Sequence, residues 1–200
     1  MYCAALAQIA GSEYDGHAPA GTLGPAGSGM ISHTTAFATS RDGTTIGYRQ
    51  LGHGPAAILV HGGMMAAQNL MKLASALAAE FTVYVPDRRG RGLSGPHGNR
   101  YCLARECEDI EALVAHTGAT NVFGSRSGAV LVLGAALSIP SVRRVALYEP
   151  PLPVEGASPT AWVAHDEREL ARGDLAAAMV TVIKGTEDSS LLAFLRTFFN

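Results

Sequence analysis

Residues 124–128 read Gly-Ser-Arg-Ser-Gly, between a short apolar run and an Ala/Leu-rich stretch. Two glycines four apart bracket one residue at the tip of a strand-to-helix turn, and glycine lets the two backbones come close there. A hydroxyl or thiol at such a tip, beside a histidine base, would carry out nucleophilic acyl chemistry. The tip here is Arg126, which has no oxygen or thiol and stays protonated under ordinary conditions. Ser125 and Ser127 flank it. Either would replace the nucleophile only after local rearrangement, and Ser127 is placed to cap the helix that starts there.

Other candidates stand elsewhere in the chain. His61-Gly62-Gly63 ends an apolar run, and Asp87-Arg88-Arg89-Gly90-Arg91-Gly92-Leu93-Ser94 follows another. The arginine-rich stretch has the composition of a phosphate or nucleic-acid binder, but a formal charge of −2 gives no electrostatic reason to expect nucleic acid or an anionic membrane as partner. No strand is followed by G-x-G-x-x-G and there is no P-loop, so no cofactor is implied. The histidines at 17, 33, 53, 61, 97, 116 and 165 contain no i, i+4 pair, which leaves a metal site unsupported. Cysteine is present in an odd count of 3, without metal or disulfide spacing, which points to a reducing, cytoplasmic setting.

The elements that would position these residues follow from periodicity. Residues 34–40 and 44–52 alternate apolar and polar around Asp42-Gly43, a hairpin pattern. Residues 56–63, 81–87, 120–125 and 143–151 read as strands, the first two continuously apolar as buried parallel strands are. Helical spacing covers 66–80, with Leu70, Leu73, Ala74 and Leu77 inward, and 102–116, with Leu103, Cys107, Ile110, Leu113 and Val114 inward. A further apolar helix is expected over 127–138. The alternation of strand and helix calls for an α/β fold, a mostly parallel doubly wound sheet opened by an antiparallel hairpin.

Composition agrees, with 48% apolar and 16% charged residues giving a chain long enough for one packed core. No apolar run nears the roughly 20 residues of a membrane span. Residues 1–33, rich in Gly, Ala, Ser and Pro, have no period and are expected to be a disordered extension, with Met30 as an alternative start. Residues 34–153 form the expected core and 154–200 a helical segment, whose runs include AWVAHDERELARG, DLAAAMVTVIKG and SSLLAFLRTFFN. The apolar 191–199 tail is expected to belong to the core of that segment.

Taken in order, these motifs resemble the α/β-hydrolase superfamily of serine hydrolases over roughly residues 40–150. His61-Gly62-Gly63 is similar to its oxyanion loop, 87–94 to its D-x-R-G-x-G-x-S loop, and 124–128 to the frame of its G-x-S-x-G elbow. Tyr148-Glu149-Pro150-Pro151 falls where a helical lid commonly begins. The resemblance implies strands one to six with the start of a lid, and an oxyanion hole from the backbone N–H groups of Gly63 and Ser127. It implies that His61 props its loop by hydrogen bonds and that Arg89 pins the arginine loop to neighbouring carbonyls. Glu149 is either the triad acid or the organiser of the lid's start. His165, the only histidine downstream, reads as a surface helix residue rather than the triad base. The family's strands seven and eight, and the histidine after them, are not expected within these residues.

Two readings of function therefore stand. One is hydrolysis of a small ester, amide or related carbonyl substrate through a Ser-His-acid triad, weak or lost in this chain. The other is a pseudoenzyme or fragment that binds a small apolar ligand or a protein partner. A sheet ending at the sixth strand would also expose an edge, which favours self-association.

Overall fold

The computed structural model describes residues 32–152 and 163–185. The expected N-terminal extension falls, up to residue 31, outside the described residues, as does the run SSLLAFLRTFFN. The chain divides into two units after Pro150.

The first unit is a six-stranded sheet. Its strands are β1 (Thr34–Thr39), β2 (Thr45–Leu51), β3 (Ala56–Val60), β4 (Thr82–Pro86), β5 (Asn121–Ser125) and β6 (Arg144–Tyr148), in the order β1-β2-β4-β3-β5-β6. β1, β2 and β4 pair antiparallel, while β4, β3, β5 and β6 are parallel. Among the described residues β6 pairs only with β5. The hairpin expected at Asp42-Gly43 turns over residues 40–44, with Gly43 at φ 85° and the Thr44 N–H donating to Asp42 Oδ1 at 3.0 Å.

Helices cover both faces. A 3-10 turn (Ala67–Leu70) runs into α1 (Met71–Leu77) on one side. There Ala67, Leu70 and Ala74 pack with Leu59, Val83, Val85 and Phe123. α2 (Leu103–Thr117) and α3 (Ser127–Ala136) lie on the other, where Ile110, Leu113, Leu131 and Val132 pack with Ile58, Val60 and Val122. Alternate residues of β3 and β5 thus feed opposite layers, as the two-residue repeat of a strand requires. Two expectations change. The helix over 66–80 is shorter, because its first turn is drawn tight where the Ala67 N–H donates to Asp87 Oδ1 at 2.9 Å. Leu103 is not inward but 53% exposed, since α2 turns Glu106 and Asp109 inward instead.

The decisive packing is backbone on backbone. A Cβ on Gly124 would stand 2.5 Å from the Gly128 carbonyl oxygen, and one on Gly128 would stand 2.4 Å from the His61 carbonyl oxygen. β5, α3 and the end of β3 therefore meet at two positions that admit only hydrogen. The second unit, described by itself, is a helical pair, α4 (Val163–Ala171) and α5 (Leu175–Gly185), joined through Gly173 at φ 75°. Asp174 Oδ1 accepts the Ala177 N–H at 3.0 Å and so starts α5.

Gly128→Ala should destabilise the fold by about 3 kcal/mol or more, the upper range for overpacking, because the obstructing atoms are backbone. Urea unfolding of the variant against the natural chain measures this.

Candidate functional site

The residue between the two glycines is held in an unusual backbone state. Arg126 has φ 53° and ψ −124°, and its N–H donates to the Tyr148 carbonyl at 2.7 Å. Positive φ is costly for a residue with a Cβ, so the surrounding contacts must impose it. Across from it, at the end of β6, Glu149 has φ 47°. The Arg126 guanidinium meets the Glu149 carboxylate at 3.3 Å, with the side chains 37% and 53% exposed. Solvent screens such a pair to within about 1 kcal/mol.

The flanking serines are committed elsewhere. Ser125 ends β5 buried, and its hydroxyl oxygen has no hydrogen-bond partner among the described residues. Ser127 does not cap α3, contrary to its expected role. Arg126 is the N-cap and no side chain supplies the cap. The Ser127 hydroxyl instead accepts from Arg88 Nη1 at 3.1 Å, because the loop after β4 delivers that guanidinium first.

The glycine loop after β3 abuts this tip. A Cβ on Gly62 would lie 3.2 Å from the Arg126 Cβ, and one on Gly63 would lie 3.4 Å from the Ser127 hydroxyl oxygen. Among the described residues no turn or loop carbonyl accepts the Gly63 N–H, and the Ser127 N–H heads α3, where first-turn amides lack an intrahelical acceptor. His61 sits beneath them with no exposed surface. Its Nε2 accepts the Arg88 N–H at 3.1 Å, so Nδ1 carries the proton and donates to the Gly62 carbonyl at 2.8 Å. Both ring nitrogens are thus used to fasten one loop to another. Burial, with no carboxylate hydrogen-bonded to the ring, pushes the imidazole down to about 4.

Three arginines of the loop after β4 lock it in place. Arg88 forks onto Glu106 of α2, with both contacts at 2.5 Å, and Tyr101 donates to the same carboxylate. Burial opposes the charge on Glu106, but Arg88 outweighs it and holds the carboxyl below its ordinary range. Arg89 is buried and forks onto Asp109 at 2.6 and 2.7 Å, with Asp42 at 2.9 Å. Its partners are therefore mainly carboxylates rather than the expected carbonyls, joined by the Arg105 carbonyl at 3.3 Å and the Ser40 hydroxyl at 3.5 Å. Arg91 Nη1 donates to the Gly62 and Met65 carbonyls at 3.2 and 3.0 Å. Asp87 accepts from Arg49, Ala67 and Leu93. Burial works against its charge, but these donors prevail and keep it ionised.

The sheet order, the tip geometry and the glycine contacts fit one family, and its sequence model, described as the alpha/beta hydrolase fold, matches residues 55–172. The chain belongs to the alpha/beta hydrolase fold family. This alpha/beta hydrolase is similar to an uncharacterised hydrolase, YraK, of Bacillus subtilis (strain 168), with 34% identity over 116 residues, or 55% of this chain and 42% of that protein. It is similar in structure to an alpha/beta hydrolase from Sphaerobacter thermophilus DSM 20745, with 34% identity and a TM-score of 0.71, over 81% of this chain and 65% of that one. It also resembles the bottromycin epimerase BotH, solved with bottromycin A2, at 26% identity and a TM-score of 0.55, over 76% of this chain and 69% of that one. The chain spans less than half of the Bacillus protein and under two thirds of the Sphaerobacter one.

The structure brings Gly63, Gly124, Ser125, Arg126, Ser127, Gly128 and Glu149 to one end of the sheet. His165 stands on α4 in the second unit, paired with Glu169 at 3.1 Å. No helix among the described residues is long and apolar enough to cross a membrane. Sequence reading missed Glu106 and Asp109. Their spacing of three on a helix that follows an arginine-rich loop was the signal available.

His61 makes a pH prediction. Its folded value lies below the unfolded one, so the unfolded state binds the extra proton and stability falls as pH drops from about 6.5 toward about 4. The contribution lost is on the order of 3 kcal/mol. Urea midpoints between about pH 7 and about pH 4.5 should fall accordingly, and the slope should lose that component in a His61→Gln variant.

Proposed function

We propose that this alpha/beta hydrolase fold chain is a non-hydrolytic member of its family, a binding scaffold descended from enzymes that cleave small esters, amides or related carbonyl compounds. The observation that carries the reading is Arg126 at the tip, with φ 53° and paired to Glu149, where serine chemistry needs a hydroxyl. The neighbouring hydroxyls do not rescue it, since one is enclosed and the other is engaged by Arg88. What supports retained binding is that the backbone amides of Gly63 and Ser127 depend on no side chain. The glycines that bring those two segments together are in place. In this reading the amides form an oxyanion-type cradle for a ligand oxygen. Glu149 then acts as the partner of Arg126 rather than as a triad acid. Loss of a triad typically lowers turnover by about 10⁶. The likeness to a protein named as an epimerase fits a fold whose members are not confined to hydrolysis.

A second reading concerns assembly. Leu137 is 86% exposed, and Val145 and Leu147 on β6 are each 37% exposed, an aliphatic surface beside the strand's outer edge. Self-association through that edge would appear as concentration-dependent mass in sedimentation velocity, and a monomer at all concentrations would exclude it.

Fluorophosphonate labelling with peptide mapping tests the main reading. The natural chain should give no adduct, and an adduct on Ser125 or Ser127 would overturn it. Labelling of an Arg126→Ser variant would show that the scaffold lacks only its nucleophile.

A further inference from the structure

The outer edge of β6 is apolar at its centre and carries opposite charge at its two ends. Successive residues turn their backbone groups alternately toward β5 and away from it, as a strand requires. The Arg144 N–H donates to the Thr120 carbonyl and the Tyr148 carbonyl accepts the Arg126 N–H, so Arg144, Ala146 and Tyr148 turn toward β5. Val145 and Leu147 therefore turn outward, where no strand among the described residues meets them. Their side chains are each 37% exposed, and Ala146 between them is small and half-buried. Exposed Arg143 and Arg144 stand at the start of the strand, and half-exposed Glu149 stands just past its end. Between Arg144 and Tyr148 there is no charged residue, proline or bulge of the kind that blunts a sheet edge.

We propose that β6 pairs antiparallel with β6 of a second copy about a two-fold axis at Ala146, which deepens the association reading above and rests on it. An antiparallel pair forms its hydrogen bonds between residues that turn outward on both strands. Centring on Ala146 sets Val145 opposite Leu147 of the second copy and Leu147 opposite its Val145, so every outward N–H and carbonyl of β6 is used. Centring on Val145 would set Leu147 against Arg143, whose N–H already donates to the Thr120 carbonyl at 2.8 Å. Centring on Leu147 would set Val145 against Glu149, which has left the strand at φ 47°. Either of those registers satisfies only half as many backbone groups. The Ala146 register also brings Arg143 and Arg144 of one copy beside Glu149 of the other, at both ends of the pair, as opposite charges favour. Val145 and Leu147 share one face of the strand and meet their counterparts there as aliphatic cross-strand pairs. The edge is thus its own complement, which selects a second copy as the occupant. A two-fold pairing consumes the edge of each copy, so the assembly closes at a dimer. The strand is 5 residues long, which keeps the interface small and the pairing concentration-dependent.

Disulfide trapping in the full chain tests the register. Directly opposite residues that share no hydrogen bonds lie about 4.5 Å apart at Cα, within the roughly 4.4–6.8 Å that a disulfide spans. With Cys3 and exposed Cys102 first replaced by serine, Ala146→Cys should form a covalent dimer on mild oxidation. It should do so at least about tenfold faster than Val145→Cys or Leu147→Cys, which do not face themselves across the axis. Sedimentation velocity of the natural chain should show monomer and dimer, and Val145→Lys should be monomeric at the same concentration. The urea midpoint of that variant should stay within the range of a surface substitution, which separates loss of pairing from loss of fold. Linking of Ala146→Cys no faster than that of either neighbour would overturn the register while leaving association in place. Species that grow past the dimer, or a Val145→Lys variant that still dimerises, would overturn the closed edge pairing. A natural chain that is monomeric at every concentration, with no link at position 146, removes the association reading together with this one.

Discussion

Everything at the functional end of this alpha/beta hydrolase hangs on one steric constraint. The end of β3, the end of β5 and the first turn of α3 approach until only hydrogen fits at Gly124 and Gly128. That approach fixes where α3 starts and brings the glycine loop against the tip. It also forces the tip residue into a left-handed backbone, whatever its side chain. Such a state costs on the order of 1–3 kcal/mol for a residue with a Cβ, so it persists because the surrounding packing over-determines it. Arg126 bears that cost although it contributes no nucleophile.

The second layer of support is electrostatic. The position of the loop after β4 is set by arginines that tie it to neighbouring elements. Arg89 spans to α2 and to the β1–β2 hairpin, Arg88 to α2 and to Ser127, and Arg91 to the glycine loop. Buried ion pairs of this type add modest net stability against an apolar replacement, yet leaving one partner alone is costly. Their effect is to fix geometry. His61 completes the arrangement by donating to one loop and accepting from the other, which it can do only as a neutral ring.

Neither of these two layers depends on the side chain at the tip. The approach of the glycine loop to the tip depends on glycines and on the loop's tethers. Nucleophilic attack depends on a single side chain at the tip. A guanidinium at that position leaves the glycine architecture around the tip in place.

The order of elements was legible in the amino-acid sequence, because alternation and helical spacing are local properties of burial. The glycine frame at 124–128 and the absence of a nucleophile at Arg126 could also be read there, since both depend on residue type at a fixed position. The tertiary structure alone decided the partners. Glu106 and Asp109 lie outside the apolar face expected over residues 102–116, and only the docking of α2 beside the arginine loop made them buried counter-ions. Ser127 looked like a cap, and Arg88, 39 residues earlier, took its hydroxyl instead. Glu149 met Arg126 because β5 and β6 run parallel in register, placing both strand ends together. Side-chain pairing across such distances is set by how the elements pack, and no local pattern in the sequence encodes it.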